Sequence, residues 1–367
     1  MGGIHDESML TVGVEEEFLL LDPAGAVVAA ATDVVRDVAD DRVKPELMTY
    51  QVETATDVCT DLTALASELA DLRRRVASAC DAVGVRLAAL GVPPVGEPGL
   101  EFVTDSPRYR DLATRFPDAA AVAGTCACQI HVGVPDRDLA VRVLARLRRW
   151  LPTLFSLGTN SPVSGGRDTG WSSTRYVRQL SWPTFGPPGS WTSTDAYDAS
   201  VAELVDHGDA LDLRSVYHLA RLSPRYPTIE IRVADTCLDT ADTAMLAGIC
   251  RALVTVLASD IEAGRPDLPV SDPALRSALL AVAVHGRPPT TGPEEVTRAV
   301  VVTRLLRTIL PGIGSSAETD LVVAGLERVH RCGTGAQRQR RLLASTGDYS
   351  RFVDAVTAAT IGDGATR

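Results

Sequence analysis

The sequence predicts an α+β fold, an antiparallel sheet backed by helices and followed by a helical C-terminal portion. Strand-like alternation is concentrated before residue 236, whereas helical periodicity dominates from 239 to 361. Strands and helices do not alternate strictly, as a doubly wound parallel sheet would require. No linker-like stretch or internal repeat divides the 367 residues, so 1–367 reads as a single domain, with its strands mainly within 10–236.

The elements follow in chain order. Residues 11–21 form the first strand. Successive strand side chains point to opposite faces, so Glu15 and Glu17 share one face while Val12, Val14, Phe18 and Leu20 lie on the other. Glu16 falls on the apolar side, at a sheet margin or paired with a basic group. Residues 48–55 place Gln51 and Glu53 on one side. Residues 61–83, rich in Ala, Leu and Arg, predict a helix with Thr60 or Asp61 as N-cap. A short apolar strand at 85–90 ends in the Pro- and Gly-rich loop 92–99. Residues 126–134 set Gln129 and His131 opposite Cys128, Ile130 and Val132, and 136–157 reads as one helix. Residues 156–191 read as a long ordered loop holding Arg167, Asp168, Arg175 and Arg178, a length usually reserved for function. A helix at 195–209 precedes the strand 228–234, where Glu230 and Arg232 lie opposite Ile229, Ile231 and Val233. Helical patterns at 239–263, 272–284, 293–310, 317–331 and 348–361 complete the chain.

The non-apolar strand faces thus gather Glu15, Glu17, Glu53, His131, Glu230 and Arg232. A face left to water would be served by threonine, lysine and serine. Clustered carboxylates repel unless a cation sits between them, and oxygen-rich sites suit Mg²⁺ or Mn²⁺. Each strand alone has an ordinary reading: a solvated acidic triplet, a structural histidine, a surface Glu–Arg pair. Their recurrence on separate strands points to an active-site floor.

Composition narrows the function. A net charge of −11 argues against general nucleic-acid or anionic-membrane binding. The first residues carry acids where a signal peptide needs basic and apolar ones, and no uninterrupted apolar stretch suggests a membrane span. Seven cysteines without Cys-x-x-Cys pairing read as reduced thiols, which gives a cytoplasmic expectation. No phosphate-binding glycine loop, dinucleotide fingerprint or kinase signature occurs, so a bound nucleotide would have its phosphates held by metal and arginine.

The motifs resemble those of the carboxylate–amine ligases, or glutamate–cysteine ligase type 2 family. The matching residues are Gly13-Val14-Glu15-Glu16-Glu17-Phe18, Gln51-Val52-Glu53-Thr54-Ala55-Thr56-Asp57-Val58-Cys59, Ile130-His131-Val132-Gly133, Asn160-Ser161-Pro162 through Gly166-Arg167-Asp168-Thr169-Gly170 to Ser173-Thr174-Arg175, and Ser223-Pro224-Arg225-Tyr226-Pro227-Thr228-Ile229-Glu230-Ile231-Arg232-Val233-Ala234-Asp235-Thr236. The resemblance implies a curved antiparallel sheet like the catalytic domain of glutamine synthetase, with ATP and divalent metals over its concave face. It implies that Glu15, Glu17, Glu53, His131 and Glu230 hold two or three Mg²⁺ ions. Arg232 would approach the transferred phosphate, and Arg175 and Arg221 would hold phosphate or substrate carboxylate. Two positions depart from relatives. Gln129 stands where many have histidine, and the segment around Ala278, Leu279 and Val284 lacks an Asn and two basic groups.

The expected activity is ATP- and Mg²⁺-dependent ligation of a carboxylate, glutamate by the resemblance, to an amine through an acyl phosphate. The loop 165–178 is expected to border the substrate pocket, with Arg175 facing an anionic group. Expected partners are the small carboxylate and the amine acceptor, with no nucleic acid or membrane; self-association is left open. Two other readings stand beside this one: an attenuated homologue that binds nucleotide and metal, and a metal-dependent amide hydrolase.

Overall fold

In the computed structural model, which describes residues 9–96, 98–288 and 298–362, seven strands form one antiparallel sheet. In chain order the strands are β1 (Val12–Leu21), β2 (Val43–Pro45), β3 (Gln51–Ala55), β4 (Arg86–Ala88), β5 (Cys128–Gly133), β6 (Val163–Ser164), β7 (Arg167–Asp168), β8 (Ala220–Leu222) and β9 (Thr228–Ile231). The sheet runs β2-β3-β1-β5-β9-β8, with β4 also paired to β1, while β6 and β7 form a separate ribbon. Register aligns the polar residues. Glu17 lies opposite Glu53, Glu15 opposite Gln129, and His131 opposite Glu230, which in turn faces Arg221.

Helices cover the apolar face. Phe18, Leu20, Val52 and Leu87 pack on Val34 of the helix Ala31–Val38 and on Leu72 and Val76 of the helix Leu62–Ala82. Asp61 starts the latter by accepting from the N–H groups of Thr63 and Ala64. Val12, Val14, Ile130, Val132, Ile229 and Ile231 join the larger core, which includes the helices Arg137–Leu147 and Thr240–Glu262. Thr240–Glu262 is long and apolar enough to cross a bilayer, but most of it is buried among other elements. On the opposite face Leu19 and Leu21 are buried with the main core, so the acidic floor ends at Glu17.

Glu16 does find a basic partner. Arg73 reaches it from the helix Leu62–Ala82, donating from Nε at 3.0 Å, and Thr243 Oγ1 donates at 2.6 Å. The same guanidinium donates to the carbonyls of Cys237 and Thr360, tying the last helix, Tyr349–Ile361, to the sheet.

Several elements differ from the sequence reading. The helix expected at 136–157 is two, Arg137–Leu147 and Leu151–Leu157, separated by a tight turn at Arg148–Trp150. Pro152 has no N–H to continue the first helix, and buried Arg148 anchors the turn to Asp272 and the Pro188 carbonyl. The loop 156–191 contains β6, β7 and the helix Thr174–Gln179. A further helix, Gly335–Thr346, lies where none was expected. Of the helix expected at 293–310, residues 293–297 lie outside the described residues and Arg298–Ile309 is helical. All seven cysteines are unpaired, and five of them are buried.

Candidate active site

The open face brings Glu15 (β1), His131 (β5) and Glu230 (β9) together, with one ligand atom from each lying within 4.8 Å of the others. His131 is oriented by its Nδ1, 2.9 Å from Thr228 Oγ1. That leaves Nε2, which is buried, has no hydrogen-bond partner among the described residues, and stands 3.7 Å from Glu15 Oε2. A buried polar atom without a partner costs free energy, and an imidazole nitrogen between two carboxylates is a metal-ligand arrangement. The donor set therefore fits Mg²⁺ or Mn²⁺.

Glu230 is held on both sides. Arg221 donates Nε to Oε2 at 2.9 Å and Nη2 to Oε1 at 3.1 Å, and Arg232 Nη1 donates to Oε1. Burial opposes its charge, but the Arg232 and Arg221 guanidinia hold its carboxyl well below the usual range. Glu15 is likewise lowered, the cost of burial being outweighed by His131 beside it.

The rest of the floor behaves oppositely. Burial, with Glu46 nearby, pushes Glu17 up to about 7, although Oε2 accepts from Ala127 N and Oε1 from Gln129 Nε2, both at 2.7 Å. Glu53 is raised well above its ordinary value by burial and by Glu15, Glu46 and Glu17. Glu46, beyond the end of β2, is a fifth acid at the site that alternation did not reveal. Tyr109 Oη donates to its Oε2 at 2.6 Å, and burial raises it too. Gln129 links the two halves of the floor, since its oxygen accepts from Arg232 Nη1 while its nitrogen donates to Glu17.

Three cavities meet here. The central one, about 170 Å³, is lined by the five carboxylates with His131, Arg221 and Arg232. A larger, mostly apolar one of about 630 Å³, walled by Val12, Val14, Val58 and Tyr226, reaches Glu15 and His131. A small one of about 60 Å³ adjoins Glu17, Glu46, Tyr217 and Arg232 and is lined also by Arg175, Gln179 and His218.

Arg175 is placed by the helix Thr174–Gln179, whose N-cap Ser173 accepts from Tyr176 N. Asp235, fully buried, gathers the surrounding motifs. It accepts from Asn160 N (2.8 Å), Ser161 Oγ (2.7 Å) and Ser173 Oγ (2.8 Å), and lies 3.6 Å from Arg175 Nη1. The expected position of the loop needs correction. Arg175 lines the small cavity, whereas Gly165, Arg167, Thr174 and Arg178 line a separate one of about 280 Å³. Arg221 lines the central cavity but is bound within the protein. Besides Glu230, its Nη1 donates to the carbonyls of Arg214 and Val216, so its nitrogens are engaged in holding the site's own backbone and acid.

Residues 11–355 match the model of glutamate–cysteine ligase family 2. A Mycobacterium sp. (strain KMS) protein, provisionally named glutamate–cysteine ligase 2-2, is 40% identical over 359 residues, covering 96% of this chain and 98% of its own. A Saccharopolyspora erythraea protein provisionally given the same name is 38% identical over 367 residues, covering 97% and 93%. In fold, the chain is similar to the glutamate–cysteine ligase of Francisella tularensis crystallised with AMP (TM-score 0.72, 12% identity, 99% of this chain and 90% of that one). It also resembles a bifunctional glutathione synthetase from Pasteurella multocida (TM-score 0.72, 15% identity), where it covers 98% of itself and 53% of the larger chain. Sequence and fold together define a carboxylate–amine ligase. More narrowly, the chain belongs to glutamate–cysteine ligase family 2.

Proposed function

We propose that this ligase couples ATP cleavage to amide formation, with the side-chain carboxylate of glutamate as donor and Mg²⁺ or Mn²⁺ held by Glu15, His131 and Glu230. The observation that carries this reading is the unpartnered, buried Nε2 of His131 between two carboxylates. Glu17 and Glu53 complete the acidic floor and share the holding of metal. When bound, the metal neutralises phosphate charge and aligns donor with acceptor.

A carboxylate is a poor electrophile because oxide is a poor leaving group. Moving the γ-phosphoryl group of ATP onto a carboxylate oxygen gives an acyl phosphate and ADP. The amine nitrogen then attacks the acyl carbon, the C–O bond to phosphate breaks, and the ammonium proton is lost. Arg232, at the junction of the central and small cavities, donates to the phosphoryl oxygens as charge gathers there. Arg221 is a positioning residue that keeps Glu230 ionised and in place. The adjoining apolar cavity is suited to the nucleotide's base.

The test is a panel of amines with glutamate and Mg-ATP, following ADP and coupled product by mass. ADP should appear only when carboxylate and amine are both present, with an amide of the summed mass less water. ATP turnover indifferent to amine, or amide cleavage without ATP, would contradict the reading.

A further inference from the structure

Apart from His131, two side chains bordering this site carry buried nitrogens without hydrogen-bond partners among the described residues: Arg175, at Nε and Nη1, and His218, at Nδ1. Both line the small cavity beyond Arg232. Its volume of about 60 Å³ has room for only a few water-sized groups. Leu47, Ala123, Trp182 and Phe185 close it with apolar surface, while Glu17 and Glu46 bring carboxylates to the same space. A small, walled cavity with guanidinium and imidazole donors and carboxylates suits a zwitterionic head group better than an apolar one.

His218 is held for such a role. Its ring packs against Trp191 at 5.9 Å between centroids, and its backbone bridges to Gly186. Gly186 matters because a Cβ there would stand 3.0 Å from Arg276 Nη1, so glycine lets that guanidinium lie alongside. Burial, then Arg221 and Arg276, push the imidazole down to about 4, leaving it neutral at physiological pH. A neutral ring lining the same cavity as Arg175 adds a hydrogen-bond donor without adding a second repelling charge.

We propose that His218 is a specificity-determining residue for the carboxylate donor. With Arg175 it receives the carboxylate that is not activated, while Glu46 faces the donor's ammonium group. This rests on the ligase reading above and names the residues that select an α-amino dicarboxylate over a simple acid.

The test compares wild type with His218→Leu and His218→Gln, using glutamate, glutarate (no ammonium) and 4-aminobutyrate (no second carboxylate) as donors. Loss of a hydrogen bond to a charged group predicts that His218→Leu raises KM for glutamate about tenfold or more. KM for ATP should stay within about twofold, the preference for glutamate over 4-aminobutyrate should narrow, and His218→Gln should recover part of the loss. A His218→Leu enzyme with wild-type KM for glutamate and wild-type donor ranking overturns the assignment while leaving the ligase reading intact. If no donor supports ADP release in wild type, the ligase reading falls separately. Calorimetric binding of glutamate then decides the pocket: about tenfold weaker binding by His218→Leu supports it, and equal or absent binding by both proteins overturns it.

Discussion

Three consecutive glutamates on β1 meet opposite fates. Glu16 points into the helix-covered face, where Arg73 and Thr243 satisfy it completely enough to join the sheet to three other parts of the chain. Glu15 and Glu17 point to the other face, where five carboxylates line one cavity and Glu17, Glu46 and Glu53 have no ion pair among the described residues. Arg232 and Arg221 are both committed to Glu230, and Glu17, Glu46 and Glu53 are left with raised pKa values. A buried charge neutralised by the protein itself is architecture. A buried charge left unbalanced costs stability and marks where a ligand completes the site.

That contrast predicts separable mutants, and the largest effect should fall on turnover. Glu53→Gln keeps shape but removes a charge, so kcat should drop by orders of magnitude while the urea midpoint stays equal or rises, because a repelling carboxylate is gone. Arg73→Ala should do the reverse in kind. Leaving Glu16 buried and unpaired should cost about 3–5 kcal/mol of unfolding free energy. Equal stability losses in the two variants would erase the distinction between the two faces.

Metal should sharpen it next. Mg²⁺ at about a hundred times its Kd should stabilise the wild type by about 2.7 kcal/mol. A thermal melt should show that gain for wild type and for a folded Glu16→Gln variant, and little of it for Glu15→Gln. A Glu15→Gln protein with the full metal shift would remove Glu15 from the ligand set.

A smaller effect follows from pH. In metal-free protein Glu17 titrates near 7 when folded but in the ordinary carboxylate range when unfolded, so the folded state binds more protons between those values. Stability should therefore fall as pH rises from about 4.5 to 7, and Glu17→Gln should flatten that slope. Asp212, paired with Arg108 and lowered to about 2, works oppositely: its contribution is present above its ordinary pKa of 3.8 and is lost as pH falls through 2. Matching slopes in wild type and Glu17→Gln would show that Glu17 is not the group carrying the extra proton.

The smallest change is Arg175→Lys, which keeps the charge but loses the planar fork. Substrate KM should rise several-fold with little change in stability. A lysine enzyme with unchanged KM would take Arg175 out of the small cavity's function.

What is legible in the sequence follows from period. β1, β5 and β9 are long enough for alternation alone to assign faces, and that groups Glu15, Glu17, His131 and Glu230. Glu53 falls in with them on the same logic, although β3 begins only at Gln51 because Met48 to Tyr50 form a turn. Glu46 escapes it. This acid follows a three-residue strand ending in Pro45, and its place at the site is set by Tyr109, sixty-three residues away. The three-residue β8 is too short to show a pattern, and the helix Gly335–Thr346, starting on glycine and rich in Arg and Gln, lacks a clear apolar stripe. Asp235 falls within the last matching motif, but its role as a hub is hidden, since it joins segments some sixty to seventy-five residues apart by hydrogen bonds rather than by periodicity.

The central claim is that Glu15 of β1 and Glu230 of β9 form a divalent-cation site with His131. Anomalous diffraction from crystals grown with Mn²⁺ tests it most directly. A strong peak bounded by Glu15, His131 Nε2 and Glu230 is the predicted result. A well-ordered site without a peak there, at Mn²⁺ concentrations that support turnover, would contradict it.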